Sequence, residues 1–489
     1  MKEFIRNDRN WFAKLCKMII LCIPMMYAGV TMDNDFWFII NHGRYLLAHG
    51  FTSIEPFTVH EGLAFSFEKW LTCIVFYKVY DWFGAWGMYI FMLLLFGIIL
   101  ALFYKACLLF SKGNENVSII ITAVAMSVFA WAYVRTRPQM FSYMFLLGEI
   151  ICLESYARSG KPRKLYPLPV LAFLYMQFHS TMLPIFFIMA MPYLFDYGWV
   201  DLLGIHGGRY WKKPIYIMLV ISAVVTLGNP YTWRSFVYLI NSLNDGGLLS
   251  TINEVKPSSF NDIKNYSGPV IVCQGIYILL RIYRRIKLKK KEKFPLRYLF
   301  LLLGTFAMAL YAVRNNAFFV LMGGVVSAWE LRQIDLNFKF MPALKKLGAF
   351  VVIGCMIYNW SFSYDIMRST YAWRVLDKFA EIHPDTNIKM YTDFNCGSYA
   401  EWKGFKCYAD PRAEVFLKSV NGKEDILAEI WDSMHAKLNA SDLQEKYGFD
   451  YWLVQKDYWM DSHLKYNKDY ELICEEDDYK VYKYLPNNK

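Results

Sequence analysis

The sequence predicts an α-helical protein with many membrane spans, followed by a small α/β domain outside the cytoplasm. Of the 489 residues, 56% are hydrophobic and only 19% are charged, whereas soluble proteins are about a quarter charged. Apolar runs recur up to residue 363. Residues 1–363 hold 36 basic and 19 acidic residues, and residues 364–489 hold 17 and 23. We therefore expect a transmembrane module, 1–363, and an extracytoplasmic domain, 364–489.

The net charge of the whole chain, +11, would usually suggest nucleic acid as a partner. Most of the positive charge belongs to the hydrophobic part, however. The strongest basic run, 281–297, has no aromatic platform on which bases could stack. We interpret this run as a topology determinant that also contacts anionic lipid, and we expect the bilayer rather than nucleic acid as a partner.

Apolar runs bounded by charged residues predict about eleven spans, since a bilayer needs roughly 17–25 residues per helix. The pairs around Pro138, Pro184 and Asn315 leave open a broken helix with a re-entrant segment. The runs lie near 15–31, 85–109, 117–134, 138–157, 165–181, 183–197, 213–229, 268–286, 297–313, 316–331 and 346–363.

The distribution of Lys and Arg predicts the orientation. Basic residues concentrate in the N-terminal segment and in alternate loops, such as Lys161–Lys164 and Lys212–Lys213. With these loops inside, the N-terminus is cytoplasmic, and an odd number of spans places residues 364–489 outside. The first apolar run has no small-x-small cleavage site and predicts an uncleaved anchor. We expect a multi-pass protein of the cell membrane.

The ten cysteines do not form a disulfide framework. Six lie in predicted spans, where we expect small apolar fillers. Cys396, Cys407 and Cys474 fall in the outer domain, and the sequence leaves open whether Cys396 and Cys407 pair. The spacings do not resemble a zinc site.

The first outer loop, 32–84, begins with two acidic residues, Asp33 and Asp35. Apolar residues at helical spacing follow, and Gly50 suits the end of such a helix. We expect an amphipathic helix that lies on the outer face of the membrane. Two further acidic residues follow in the same loop, at Glu55 and Glu68.

Other polar residues lie at the outer ends of predicted spans. Ionisable groups at membrane depth are costly and usually line a cavity or pair with each other. Carboxylates can act as general bases or bind a metal ion, and arginines can hold a phosphate. The residues therefore predict an amphipathic substrate with a phosphate-linked head, although any one of them could be an interfacial anchor or a helix cap. They are Arg135, Arg137, His179, Asn229, Tyr231, Arg234, Glu254 and Arg314.

Several segments resemble bacterial integral-membrane glycosyltransferases of the GT-C superfamily, of the dolichyl-phosphate mannosyltransferase-like kind. Phe38, Ile39 and Glu55 stand where the family has Trp, His and Asp, and His42, one helical turn further on, is a speculative substitute for that His. The similar segments are Asp33-Asn-Asp35-Phe-Trp37, Gly43-Arg44-Tyr45, Glu55-Pro-Phe-Thr58, Trp70-Leu71, Arg137-Pro-Gln139, Asn229-Pro-Tyr231, the loop with Glu254, Arg314, Asp393–Tyr399 and Asp410-Pro-Arg412.

The resemblance implies a GT-C-like fold and a lipid-linked sugar as donor substrate. It implies transfer from a polyprenyl-phosphate-linked sugar to a glycan, lipid or protein acceptor outside the cytoplasm. In such enzymes an acid of the first outer loop is the general base or a metal ligand, so Asp35 is our first choice and Asp33 the second. Arg135, Arg137 and Arg314 would bind the donor phosphate. No cofactor is certain, and a divalent cation, Mg²⁺ or Mn²⁺, stays open.

The acidic C-terminal part is long enough for an independent domain. Asp393, Asp410 and Arg412 are candidates on the acceptor side, with loop-capping acids and a turn held by a local ion pair as the alternatives. Strands are predicted at 389–392, 406–409 and 451–454, a hairpin at 470–474 and 479–484, and helices at 419–438 and 440–447.

Two other functions compete with sugar transfer. A transporter or flippase of lipid-linked glycans should show internal repeats and charged residues near the membrane midplane, and the sequence has no clear repeat. A non-catalytic scaffold of an envelope-assembly complex would carry degenerate acids at the positions of Asp33 and Asp35. The sequence does not specify the sugar or the acceptor.

Overall fold

The computed structural model describes residues 17–28, 32–202, 204–243, 256–258, 276–277, 293–334 and 372–485. Outside the described residues lie Glu254, the predicted span near 346–363, and most of the predicted span near 268–286 and of the basic run 281–297.

The chain divides into two compact units. The first outer loop, 32–84, lies in unit 2 together with the C-terminal residues. The predicted boundary between residues 363 and 364 lies outside the described residues. Unit 1 comprises Met1–Val30, Ile90–Asn229 and Ile252–Ser363, and unit 2 comprises Thr31–Tyr89, Pro230–Thr251 and Tyr364–Lys489.

Helices make up most of the described chain, and eight short strands accompany them. The helices are α1 (Lys17–Tyr27), α2 (Asn34–His49), α3 (Trp70–Phe110), α4 (Glu115–Tyr133), α5 (Gln139–Ser159), α6 (Leu168–His179), α7 (Leu183–Leu194), α8 (Lys213–Val225), α9 (Arg234–Leu243), α10 (Leu296–Tyr311), α11 (Asn316–Leu331), α12 (Trp373–Ile382), α13 (Gly397–Lys403), α14 (Lys418–Asn421), α15 (Ile426–Met434), α16 (Ala440–Tyr447) and α17 (Trp459–Lys465). The strands are β1 (Asp201–Leu202), β2 (Ile205–His206), β3 (Phe294–Pro295), β4 (Lys389–Tyr391), β5 (Lys406–Cys407), β6 (Tyr451–Gln455), β7 (Tyr470–Glu476) and β8 (Tyr479–Tyr484).

Four helical segments of the described chain are long and apolar enough to cross a membrane. Three shorter apolar helices, α1, α8 and α10, accompany them. The break predicted near Pro184 is present as a 3-10 turn, Ser180–Met182, between α6 and α7. The total of about eleven spans and the orientation of the termini stay predictions. The four segments are Trp70–Phe110, Glu115–Tyr133, Gln139–Ser159 and Pro162–Leu194.

Helix α3 is longer than one membrane crossing. Its 41 residues would extend about 60 Å as a straight helix, whereas the hydrocarbon core of a bilayer is about 30 Å thick. The helix is interrupted at Gly84, whose φ of 61° lies in a region that favours glycine. The kink separates the part before Gly84 from the more apolar part that follows it.

Side-chain contacts fix the directions of the helices in unit 1. The side-chain amide of Asn114, at the start of α4, donates to the carbonyl of Arg332, just after α11, over 2.9 Å. The rings of Tyr143 and Phe318 bring the first turns of α5 and α11 together, with centroids 5.8 Å apart. Ser142, in the first turn of α5, hydrogen-bonds His179 at the end of α6. The loops before α5, after α6 and before α11 therefore lie at one end of unit 1.

The opposite end of α5 carries a buried network of charges. Arg297 pairs with Glu154 over 3.0 Å and with Asp196 over 3.1 Å. Arg158 and the hydroxyl of Tyr298 also donate to the Glu154 carboxylate. Because a buried charge is costly unless it is paired, these contacts stabilise the packing of α5 against α10. The strands β1, β2 and β3 form a small sheet within the same unit.

The C-terminal part of unit 2 is an α/β fold, as predicted. Its five-stranded sheet has the order β5-β4-β6-β8-β7, with β4 parallel to β5 and β6 and with the remaining pairs antiparallel. The three predicted strands and the hairpin are confirmed. The helix predicted over 419–438 is wrong in extent, because Gly422 adopts a φ of 72° and ends α14 before α15 begins.

The apolar face of helix α2 is covered by protein, whereas the sequence predicted a face that rests on the membrane. Its apolar residues Phe36, Ile39 and Ile40 are buried within unit 2. The ring of Phe36 contacts Tyr80 of α3, with centroids 5.5 Å apart. Helical spacing identified the buried face correctly, but the face is covered by protein.

Cys396 and Cys407 do not form a disulfide. Both are buried free thiols, and the thiol of Cys407 donates to the carbonyl of Gly397 over 3.4 Å. Burial raises the pKa of both thiols well above the ordinary value. They are therefore core residues of unit 2.

Candidate active site

The two acids of the first outer loop lie at the N-terminus of α2. Asp33 is the N-cap residue, with extended backbone angles, and Asp35 lies in the first turn. Both side chains are half-buried. The backbone dipoles of a helix favour negative charge at its N-terminus. Both acids therefore lie at the first turn of the helix, where the backbone favours their charged form.

The C-terminal part of unit 2 holds this turn in place. The hydroxyl of Ser398, in α13, donates to the carbonyl of Asn34, between the two acids, over 2.6 Å. The ring of Tyr399 makes an edge contact with Trp37, with centroids 4.6 Å apart. A Cβ on Gly397 would lie 1.7 Å from the carbonyl oxygen of Ala409, so only glycine fits there. Helix α13 thus packs closely on α2.

Arg44 makes a second connection between α2 and α13. Its guanidinium donates to the carbonyl of Trp402 over 2.9 Å and lies over the Trp402 ring, 4.2 Å from the centroid. It also donates to the side chain of Asn41 over 2.6 Å. The Gly43-Arg44 motif therefore positions α2.

Arg412 joins three carboxylates in the interior of unit 2. It is 1% exposed and lies 2.9 Å from Glu55, 3.1 Å from Glu401 and 2.5 Å from Asp410. It also donates to Nε2 of His42 over 3.2 Å. Glu55 in turn accepts from the backbone N–H groups of Phe57 and Thr58. This cluster connects the first outer loop to the Asp410-Pro-Arg412 turn.

The charges of the Arg412 cluster affect one another strongly. Burial and the charge of Asp410 raise the pKa of Glu401 well above its ordinary value. Burial and the guanidinium of Arg412 hold the pKa of His42 well below its ordinary value, so His42 is neutral and accepts the hydrogen bond through Nε2. His42 is thereby engaged within the cluster.

The contacts of Asp410 and Arg412 correspond to one of the alternatives named for them, a turn with a local ion pair. Both side chains are buried, and Asp410 accepts from the backbone and the guanidinium of Arg412. This is the turn held by a local ion pair. Asp393 accepts from the backbone N–H groups of Asn395 and Cys396, which is the arrangement of a loop-capping acid. The acceptor-side role of Asp393, Asp410 and Arg412 stays a prediction.

Glu68 lies in a second acidic part of unit 2. It is 8% exposed, and burial together with the charge of Glu414 raises its pKa to about 8, while Lys69 acts in the opposite direction. Burial, and after it the acidic side chains of Glu414 and Glu68, raise the pKa of the Tyr238 hydroxyl in α9 well above its ordinary value. Glu68 is therefore largely protonated at neutral pH.

Two further residues predicted from the sequence, Tyr231 and Arg234, lie in the segment of unit 2 that begins at Pro230. The hydroxyl of Tyr231 donates to the carbonyl of Thr52 over 2.8 Å, and its ring contacts Phe51 with centroids 5.8 Å apart. Arg234 is exposed. Tyr231 thus links this segment to the residues that follow α2.

Unit 1 brings five predicted residues to one end. Arg135 and Arg137 precede α5, and Arg314 precedes α11. Nδ1 of His179 lies 2.8 Å from the hydroxyl of Ser142. Asn229 belongs to the same end, because the side chain of Gln177 in α6 donates to the neighbouring carbonyl of Gly228.

The three arginines differ in exposure. Arg135 is exposed, while Arg137 and Arg314 are half-buried. His179 and Asn229 are buried. Unit 1 therefore presents a positively charged end, which suits a phosphate group.

No metal site is evident in the part of the chain that the structure describes: it contains no group of three or more His, Cys, Asp or Glu side chains that could hold a metal ion. Asp33 and Asp35 provide two oxygen ligands on one turn. Mg²⁺ in proteins is often held by one or two carboxylates together with phosphates of the substrate. The pair fits a cation only in that shared form.

The sequence did not identify several residues of the candidate site in unit 2. Ser398 lies in the Asp393–Tyr399 segment but was given no role, and Glu401 and Tyr238 were not named as candidates. Glu401 and Arg412 lie eleven positions apart in the chain, and Glu55 is far from both. A single sequence contains no signal for such long-range pairs.

The sequence matches no family model and no curated protein. Solved structures are nevertheless similar in fold. The oligosaccharyltransferase of Archaeoglobus fulgidus, tethered with an acceptor peptide, aligns with a TM-score of 0.55 at 12% identity, over 91% of this chain and 69% of that chain. The same protein in complex with Zn and sulfate aligns with a TM-score of 0.55 at 12% identity, over 91% and 68%.

A second kind of protein shares the fold over nearly its whole length. ArnT from Cupriavidus metallidurans, bound to undecaprenyl phosphate, aligns with a TM-score of 0.50 at 9% identity, over 97% of this chain and 98% of that chain. The chain therefore has the fold of GT-C glycosyltransferases. The fold that the sequence motifs predicted is thus confirmed.

Proposed function

We propose that the chain is a membrane glycosyltransferase that moves a sugar from a polyprenyl-phosphate-linked donor to an envelope acceptor on the extracytoplasmic side. The observation that carries the proposal is the Asp33–Asp35 turn, held at the N-terminus of α2 by α13. The fold supports it, because ArnT with this fold binds undecaprenyl phosphate. The distribution of Lys and Arg between alternate loops of the sequence supports transfer on the extracytoplasmic side.

In the proposed reaction Asp35, with Asp33 as the second choice, accepts the proton of an acceptor hydroxyl. The hydroxyl oxygen then bonds to the anomeric carbon of the sugar. The bond between that carbon and the donor phosphate breaks, and the electron pair leaves with the polyprenyl phosphate or diphosphate. A well-placed general base contributes about 10²–10⁴-fold in rate.

The positive end of unit 1 would bind the leaving phosphate. Arg137 and Arg314 are half-buried and Arg135 is exposed, so each guanidinium can make charge-assisted hydrogen bonds with an anion. Stabilising charge that develops on the leaving group lowers the barrier of the transfer step. Asp33 and Asp35 are the residues that would hold a divalent cation, which would neutralise phosphate charge when bound.

The direct test is the transfer rate of Asp35→Asn and Asp33→Asn in the full-length protein in native membranes. The donor is first identified as the lipid-linked sugar that accumulates in a deletion strain. We expect at least one of the two variants to lose about 100-fold or more in rate, with unchanged expression and melting temperature. Asp81→Asn, an exposed acid near the end of the same loop, is the matched control.

Two outcomes would contradict the proposal. Normal turnover by both variants would show that the base is assigned wrongly. Absence of binding between the wild-type protein and any polyprenyl-linked sugar would favour a scaffold without catalysis.

A further inference from the structure

Helix α9 of unit 2 turns apolar side chains outward. Trp233, Val237 and Ile240 are 60%, 43% and 55% exposed. Trp233 directly precedes the helix, and Val237 and Ile240 follow after four and then three residues, so the three side chains lie on one side of it. The opposite face buries the polar residues Ser235 and Ser242, together with Tyr238 and Leu239.

This arrangement is the reverse of that in a helix between protein and water. Such a helix directs its apolar stripe to the core and its polar residues to solvent. The inward face of α9 is half polar, because Ser235, Tyr238 and Ser242 are all buried there. The outward face of α9 is therefore suited to an apolar phase.

The position of α9 in the chain identifies that phase. The apolar helix α8 ends at Val225, and only residues 226–233 separate it from α9. Turns shorten this connection at both ends, because the N–H of Gly228 donates to the carbonyl of Val225 and that of Arg234 to the carbonyl of Tyr231. The chain thus enters α9 shortly after it leaves an apolar helix. Positions next to the end of an apolar helix are those at which Trp and Arg side chains anchor proteins to a bilayer.

A protein partner is a poorer fit to this face. A stable protein–protein contact buries about 800 Å² on each partner, and three side chains on a ten-residue helix cannot supply such an area. A bilayer requires only that apolar side chains reach the boundary between headgroups and acyl chains. Arg234, which is exposed at the start of α9, suits the phosphate groups of lipids.

A second exposed apolar group supports the same conclusion. Trp82, Phe83 and Trp86 are exposed around the Gly84 kink of α3. The most apolar part of that helix follows the kink, and the helix is long enough to cross a membrane. Aromatic side chains at the entrance of a span are typical of the membrane–water interface.

We propose that α9 is an interfacial helix, and that its Trp233–Val237–Ile240 face inserts into the membrane surface and anchors unit 2 to the bilayer. The anchoring is independent of the assigned catalytic residues. Its failure and the failure of the proposed function are therefore distinguishable.

The test uses full-length protein in lipid nanodiscs of phosphatidylethanolamine and phosphatidylglycerol. Val237→Cys is labelled with an environment-sensitive fluorophore, and the labelled wild-type protein gives the background from native cysteines. Lys437→Cys is the control, because the side chain of Lys437 is 65% exposed in the C-terminal part of unit 2. We expect nitroxide-labelled lipid to quench the probe at position 237 at least twofold more than the probe at position 437, and aqueous iodide to show the reverse order.

Two results would overturn the proposal. Equal quenching by iodide at both positions would show that the outward face of α9 lies in water. A blue shift at position 237 that requires added polyprenyl phosphate would show that the face binds a lipid substrate rather than the bilayer. Because the labelled variants keep the charge pattern of α9, a folding defect is not expected, and size-exclusion chromatography checks this.

Discussion

Arginine occurs in two contrasting settings in the two units. In unit 2, Arg412 is buried and meets Glu55, Glu401 and Asp410. In unit 1, Arg137 and Arg314 are half-buried, and their segments, 134–139 and 312–316, contain no acidic residue. A buried charge requires compensation, so Arg412 stabilises unit 2. Arginines in segments without acids are better suited to an external anion.

The strongest test of this contrast is Arg412→Met. The substitution removes the cation from among three buried acidic side chains, and breaking a buried pair in this way costs about 3–5 kcal/mol. We expect a large fall in the melting temperature of the purified protein and loss of sugar transfer with it. The measurement is thermal unfolding in detergent, followed by the transfer assay on the folded fraction.

Arg314→Gln is the matched control for that experiment. It also removes one guanidinium, but from a half-buried position at the positive end of unit 1. Its melting temperature should stay close to that of the wild type while transfer falls. A melting temperature of Arg412→Met equal to that of Arg314→Gln would contradict the distinction between the two settings.

The same contrast shows what a single sequence can predict. The pair of Asp410 and Arg412 is local, and its ion pair was among the expectations. Short runs of β-branched, aromatic and other apolar residues identified the three strands and the hairpin, because such runs report local structure. The contact of Arg412 with Glu55 spans more than 350 positions, and no local pattern in the sequence indicates it.

Helix α2 teaches a related lesson about buried faces. Its spacing identified Phe36, Ile39 and Ile40 as one apolar face, and the structure buries all three. The spacing does not say whether protein or lipid covers such a face. Sequence reasoning chose the membrane, and the cover is protein within unit 2. The same ambiguity resolves toward lipid for α9, because there the apolar face is the exposed one.

The second test concerns the acidic part around Glu68. Its folded-state pKa of about 8 lies above the ordinary value of 4.5. The folded protein therefore keeps a proton that the unfolded chain releases, and the stability that Glu68 contributes falls as pH rises from about 4.5 to 8. Glu68→Gln mimics the protonated form. We expect a melting temperature similar to that of the wild type at pH 5 and a gain of about 1–3 kcal/mol in stability at pH 8.5.

Glu61→Gln provides the control, because Glu61 is an exposed acid in the same loop. Its effect on melting temperature should not depend on pH. A Glu68→Gln variant that is less stable than the wild type at pH 8.5 would mean that the Glu68 carboxylate is charged and paired in the folded protein.

The smallest effect is expected from Ser398→Ala. This variant distinguishes structural from reactive carboxylates. The Ser398 hydroxyl holds the carbonyl of Asn34, between Asp33 and Asp35. One such hydrogen bond contributes about 0.5–1.5 kcal/mol, so the melting temperature should change little. If the turn carries the proposed base, kcat should fall about 2–10-fold while the KM for the donor stays constant. Ser398→Thr keeps the hydroxyl and should recover most of the rate. If Ser398→Ala loses only stability, or if threonine does not restore the rate, the Asp33–Asp35 turn has a structural role, like that of the carboxylates in the Arg412 cluster.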